Sequence, residues 1–182
     1  MSVGIWTPVV PDTANDIMLG EGVVYANDNV IGATKEGSEL ILGREIKRIN
    51  FDGSLGETKG MRRVTIYTAK LKINFLKITY TNLAYGLPIT VSDGSDQDGT
   101  YKKIVFDTDI NSTDVLDSVS FRGYKLDGTE CKIFVYNAIN IDPIKWTFKS
   151  KDEVISPMIY TGFYAHNTPT TPPFDIWDYV PA

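Results

Sequence analysis

Val119-Ser-Phe-Arg-Gly-Tyr-Lys-Leu-Asp-Gly-Thr-Glu-Cys-Lys-Ile-Phe-Val-Tyr136 reads as two strands about a turn. Asp127-Gly128 supplies the turn, because tight hairpin connections need positive φ and glycine adopts it without a Cβ penalty. Residues 119–124 and 130–136 flank it with β-branched and aromatic side chains, which suit a pleated surface. The reading is an antiparallel hairpin, and much of the chain has the same character.

Lys70-Leu-Lys-Ile-Asn-Phe75 alternates at period two, with Leu71, Ile73 and Phe75 on one face and Lys70, Lys72 and Asn74 on the other. Lys145-Trp-Thr-Phe-Lys149 alternates likewise and is predicted to be a half-buried strand. Val64 and Ile66 stand in the opposite phase to Leu71, so a bulge or bend near Thr68 is expected. Residues 40–51 and 158–164 read as further strands, and 22–26 as a short one. Helix is expected only over 79–85, capped by Thr79 or Thr81 and stopped by Gly86 and Pro88.

Many strands and one short helix predict a mainly β fold, an antiparallel β-sandwich or barrel with one short flanking α-helix and extended terminal arms. Residues 1–16, broken by Pro8 and Pro11, form the expected N-terminal arm, and 17–166 a single domain. Residues 167–182 are a Pro/Thr linker and an aromatic tail. Phe174, Ile176, Trp177 and Tyr179 of that tail need burial, either on their own subunit or on a neighbour.

A chain of 182 residues fits one domain, which buries roughly 70% of its unfolded surface. Its single cysteine, Cys131, excludes an internal disulfide framework and points to folding in a reducing cytoplasm. No run of about 18 apolar residues or basic-then-apolar N-terminus is present, so neither a membrane anchor nor an export signal is expected. The net charge of -5 argues against tight nucleic-acid binding, which rests on neutralising phosphates with Lys and Arg. The charge is uneven: residues 44–77 are rich in Lys and Arg, whereas 93–117 carry seven aspartates against Lys102 and Lys103. Such opposite patches are solvated faces in most proteins, but they steer neighbours into register in a self-assembling one.

Catalytic chemistry has little to stand on. His166 is the only histidine, no Gly-x-Ser-x-Gly elbow accompanies it, and one Cys with one His cannot make the usual zinc ligand set. In the acidic stretch Asp93-Gly-Ser-Asp-Gln-Asp-Gly99, taking Gly99 as an EF-hand glycine puts Gly94 and Val105 at the terminal ligand positions, where neither can supply a carboxylate. No phosphate-binding loop or dinucleotide fingerprint appears. No enzyme, cofactor or metal is expected.

Three blocks stand in order: Gly32-Ala-Thr-Lys-Glu-Gly37, Arg44-Glu-Ile-Lys-Arg-Ile-Asn-Phe-Asp-Gly53, and Lys59-Gly-Met-Arg-Arg63. They are followed near the other end by Lys151-Asp-Glu-Val154, Phe163-Tyr-Ala-His166 and Pro173-Phe-Asp-Ile176. The ordered set resembles the tail tube, or major tail, proteins of long-tailed bacteriophages and related contractile tails. That resemblance implies a β-sandwich flanked by a helix. It also implies a structural virion protein, made in the host cytoplasm, whose hexameric rings stack into a hollow tube for DNA delivery. The implied partners are further copies of the chain, the tape measure, the terminator and baseplate or tip components, with DNA passing through without tight binding. Subunit contacts are expected at Asp52, Gly53, Leu55, Gly60, Met61, Arg62 and Arg63, and at Phe174, Ile176, Trp177 and Tyr179. The channel wall is expected to be polar and net negative, although the Lys70, Lys72 and Asn74 face weighs against this if it lines the bore.

The rival reading is a monomeric β-sandwich that binds a receptor or carbohydrate, with Trp146, Trp177 and the tyrosines as an aromatic platform.

Overall fold

The computed structural model describes residues 18–32, 34–49, 52, 59–76, 78–148 and 150–179. In chain order the elements are β1 (Met18–Ala26), β2 (Asn29–Val30), β3 (Thr34–Arg48), β4 (Arg62–Phe75), α1 (Tyr80–Ala84), β5 (Ile89–Asp96) and β6 (Gly99–Phe106). They continue with β7 (Leu116–Lys125), β8 (Glu130–Asn140), β9 (Ser156–Gly162) and β10 (Phe174–Asp178). The chain is mainly β, and its strand pairings among the described residues are antiparallel.

The main sheet runs β2-β1-β7-β8-β9-β4-β3, β10 also bonds to β8, and β5 and β6 form a sheet of their own. The arrangement turns on β8. One edge of it pairs with β7, while the other is divided between β10, opposite residues 131–135, and β9, opposite 138–140. The handover falls at Asn137, whose φ is +47°. Asparagine enters this left-handed region more readily than most residues, and here its Nδ2 also donates to the Phe163 carbonyl at 3.1 Å. Just before it, the Tyr136 N–H reaches the Pro173 carbonyl at 2.9 Å and the Tyr136 carbonyl accepts from the Phe163 N–H at 3.2 Å. Gly162 lies in the junction, where a Cβ would meet Val135 Cγ1 at 2.7 Å.

Two layers result, β1-β7-β8-β10 and β9-β4-β3, joined through the end of β8. Val24, Ala26, Val119 and Val135 of the first share one core with Leu71, Ile73, Phe75, Met158 and Tyr160 of the second. This is sandwich packing, in which alternate side chains of both layers fill the space between them. Leu83 of α1 and Leu87, three residues past its end, join this core. Thr79 caps the helix by accepting from the Asn82 N–H at 3.2 Å, and Gly86, at φ +73°, lies just past its end. The buried Tyr160 hydroxyl donates to the Tyr85 carbonyl at 3.1 Å, and burial pushes its pKa up.

The structure modifies several sequence expectations. The 125–129 turn is a three-residue loop in which only Gly128 has positive φ, with the Gly128 N–H bonded to the Lys125 carbonyl and the Lys125 N–H to the Thr129 carbonyl. Asp127 Oδ1 accepts from the Thr129 N–H and hydroxyl, which holds the Asp127 carboxyl below its ordinary pKa. In β4 the bulge is at Thr65 rather than Thr68, since Glu45 faces Ile66 while Ile46 faces Val64. Residues 143–148 are not a strand. Their alternation is used for packing without a ladder: Ile144 rests on the core, and Trp146 donates from Nε1 to Ser156 Oγ at 2.7 Å. Phe148 is 75% exposed. The expected N-terminal arm lies outside the described residues.

Gly128 has open space about its missing Cβ, so Gly128→Ala should cost only the left-handed conformation, about 1–2 kcal/mol, and lower the urea midpoint accordingly. Gly86→Ala should cost more, because its Cβ would also stand 2.8 Å from the Tyr160 ring.

Candidate assembly surface

β4 pairs with β9 only from Lys70 to Phe75, yet its pairing with β3 continues out to Arg48 opposite Arg62. The outer half of this hairpin is therefore an arm two strands wide. Side-chain alternation places Leu42 and Ile46 on one face of it and Ile66 on the other, with Ile41 on that second face at its base, opposite Lys70 where the ladder to β9 begins. All four are between 41% and 45% exposed. A two-stranded ribbon in water is marginal, and apolar side chains exposed on both its faces gain most from a partner that covers them. Residues 43–48 and 59–69 also carry six Lys or Arg against the single Glu45.

Of the residues expected to make subunit contacts, Met61, Arg62 and Arg63 are exposed at the start of β4, beside Gly60 at φ +89°. Asp52 is exposed, and Gly53 and Leu55 lie outside the described residues. The arm thus brings Gly60 to Arg63 together with a longer apolar stretch that sequence reasoning had read simply as strand. Its signal was present in Leu40-Ile-Leu42, where apolar residues occupy both phases of the alternation.

The four tail residues divide. β10 pairs residue for residue with β8, from Phe174 opposite Val135 to Asp178 opposite Cys131. Phe174 packs against its own core and meets the Tyr67 ring edge-on at 6.1 Å. Ile176, Trp177 and Tyr179 remain more than half exposed. Trp177 leans on Phe134 at 4.9 Å between ring centroids, and Phe134 lies nearly parallel to Tyr136 at 6.0 Å. The Tyr136 hydroxyl donates to Asp175 Oδ2 at 3.1 Å; burial chiefly, and this carboxylate, raise its pKa. Lys125, almost buried, reaches Asp178 at 2.6 Å beside Cys131, whose thiol is pushed up in pKa by burial.

The lysines on the polar face of the second layer are matched within the subunit. Lys70 meets Asp142 at 3.0 Å, Lys72 meets Glu39 at 3.8 Å, and Lys35 meets Glu153 at 2.7 Å. The Lys35–Glu153 hydrogen bond raises the lysine pKa and lowers that of the glutamate, but exposed pairs of this kind contribute little stability. Their effect is to leave the face near neutral.

The acidic stretch lies in the β5–β6 hairpin, whose two strands were not among those expected from the sequence. Ile89 pairs with Phe106 and the ladder runs to Asp96 opposite Gly99. Asp96 Oδ1 accepts from the Asp98 and Gly99 N–H groups, and Asp93 is bonded to Lys102. His166 is exposed in a turn beside a cleft of about 620 Å³ lined by Ile110, Val115, Ile139, Ile141 and Phe163, which offers apolar contact rather than acid–base partners. Among the described residues, no group of three or more His, Cys, Asp or Glu is placed to hold a metal, and no helix is long and apolar enough to cross a membrane.

No known protein family matches the chain, and no curated sequence matches it.

Phe174→Ala should lower stability by roughly 2 kcal/mol, a discounted value for a half-buried ring, as read from denaturant unfolding. Trp177→Ala should cost less than about 1 kcal/mol, because most of its indole is already exposed. Truncation after Thr168 should destabilise the subunit itself by stripping β10 from β8.

Proposed function

We propose that the chain is a structural subunit that assembles with copies of itself into a tube, as a phage tail tube protein does. The observation that carries this reading is the β3–β4 arm, which projects two strands wide with Leu42 and Ile46 exposed on one face and Ile66, with Ile41 at its base, exposed on the other. A lone subunit gains nothing from such an arm. In a head-to-tail assembly each subunit presents two different surfaces, and an arm of one can be covered by the body of the next. The ordered sequence blocks that resemble tail tube proteins add the particular form: hexameric rings, stacked about a channel that conducts DNA in a virion tail.

A conduit must not hold its cargo. A basic wall would make many phosphate contacts and slow passage, whereas a polar, net negative wall keeps the backbone at a distance. The pairing of Lys70, Lys72 and Lys35 with carboxylates is compatible with such a wall, and the cationic arm is assigned to joints between subunits.

Purified protein viewed by electron microscopy should give rings or tubes; compact monomers at every concentration would favour a binding module with an aromatic platform. Ile46→Glu with Ile66→Glu should leave the thermal unfolding of the single subunit within about 1 kcal/mol, since both sites are exposed, and abolish tubes. Normal tubes from that variant would remove the arm from the joint. Replacing residues 55–58, which lie between β3 and β4 in the sequence, by a Gly/Ser linker should likewise abolish tubes while the subunit still folds.

Assembled tubes should show no appreciable DNA binding at physiological salt. An electrostatic map of a tube reconstruction should be negative inside, and a predominantly positive lumen would overturn the conduit reading.

A further inference from the structure

The β5–β6 hairpin is a ribbon without a sheet. Its eight residue pairs bond to each other and to no strand of the main sheet. Only Ile89 and Ile104 pack against the core, while Tyr101, Val105 and Phe106 are exposed, Phe106 by 63%. Two strands alone are marginal in water, and both long edges of this ribbon are open to further pairing.

The pattern of those edges follows from the ladder. The Asp107 N–H bonds the Pro88 carbonyl at 2.9 Å, and alternate pairs from there to Asp96 opposite Gly99 turn their backbone groups inward. The intervening residues, among them Ser95 on β5 and Thr100 on β6, point theirs outward.

The main sheet has a matching vacancy. Its path ends at β3, a strand of 15 residues with no neighbour on its outer side among the described residues. Charge favours bringing the two together. The tip of the hairpin carries Asp96 and Asp98, beyond Lys103 and the Asp93–Lys102 pair, and the outer half of the β3–β4 arm carries Arg44, Lys47, Arg48, Arg62 and Arg63 against Glu45. Apolar side chains are exposed on both elements, Val105 and Phe106 on one and Ile41 and Leu42 on the other.

We propose that the β5–β6 hairpin of one subunit adds to the open edge of β3 in a second copy of this chain, with its acidic end beside that copy's basic arm. The inference rests on the self-assembly reading above and names the surfaces of one joint. Strand addition supplies main-chain hydrogen bonds, while the opposite charges select the direction of approach. It also explains how one fold can carry both an unsheeted ribbon and an uncovered edge, since each completes the other in a heterologous contact.

The test separates this joint from assembly in general. Ser95→Pro and Thr100→Pro, made singly, each remove an outward N–H from one edge while sparing the hairpin's own bonds, and edge strands tolerate proline. One of the two should raise the protein concentration needed for tubes at least about tenfold, with the subunit's circular dichroism and melting unchanged, because several backbone bonds depend on that edge. Asp98→Lys, which leaves the Asp96 bonds of the turn in place, should also weaken assembly, and adding Arg44→Glu in the same chain should restore tubes. Wild-type-like assembly by both proline variants would overturn the joint and leave the tube reading standing. Loss of assembly without rescue by the charge swap would place the hairpin on a surface other than β3 and also overturn it. If the wild-type protein forms neither rings nor tubes, the self-assembly reading falls and this joint falls with it.

Discussion

The divided edge of β8 is the constraint on which the rest of the structure depends. A strand has two edges, yet β8 serves three neighbours, because β10 and β9 occupy successive lengths of the same side. The backbone cannot keep one flat ladder through that change, and the irregularity is concentrated at Asn137, with Gly162 opposite the adjacent Ala138. Bending there turns one continuous sheet into two layers, so that Val119 and Val135 come to share a core with Leu71 and Tyr160. The hydrophobic contact between the layers stabilises the bend, and the bend creates the contact.

From this geometry the exposed features follow. Because β9 is short and covers β4 only at its inner end, the outer β3–β4 hairpin is left without a third strand. Because β10 fills the remaining edge of β8, the aromatic tail is tied down at Phe174 while Trp177 and Tyr179 stay on the surface. The β5–β6 ribbon leaves the core after α1 and never rejoins the sheet. Each projection is the consequence of which strand found an edge and which did not.

Electrostatics act differently on the body and on the arm. On the body, Lys70, Lys72 and Lys35 each have a carboxylate within 4 Å, so little net field is left on that face. On the arm the cationic side chains far outnumber the one carboxylate, whereas the end of β5–β6 is acidic. Surface pairs add little to folding, but unbalanced patches set which surfaces approach one another. The excess of cationic over acidic residues along the arm favours contact there with a surface of opposite sign.

What the sequence by itself determined was local. The period-two alternation of Lys70 to Phe75 placed Leu71, Ile73 and Phe75 in the core, Asp127-Gly128 set the β7–β8 hairpin, and Thr79 with Gly86 bounded the one helix. These are readable because they depend on side-chain chemistry within a few residues. Whether an alternating segment becomes a strand depends on an available edge, and so residues 145–149 misled: Trp146 found Ser156 instead of a ladder. The position of the β4 bulge, the strands on either side of the acidic turn, and the docking of β10 on β8 were likewise decided by distant pairing. The candidate surface was half legible. Gly60 to Arg63 stood out by composition and Leu40-Ile-Leu42 by apolar residues in both phases of the alternation, but that Leu42, Ile46 and Ile66 stay exposed on a two-stranded arm is decided by tertiary geometry, since β9 pairs with β4 only as far as Lys70.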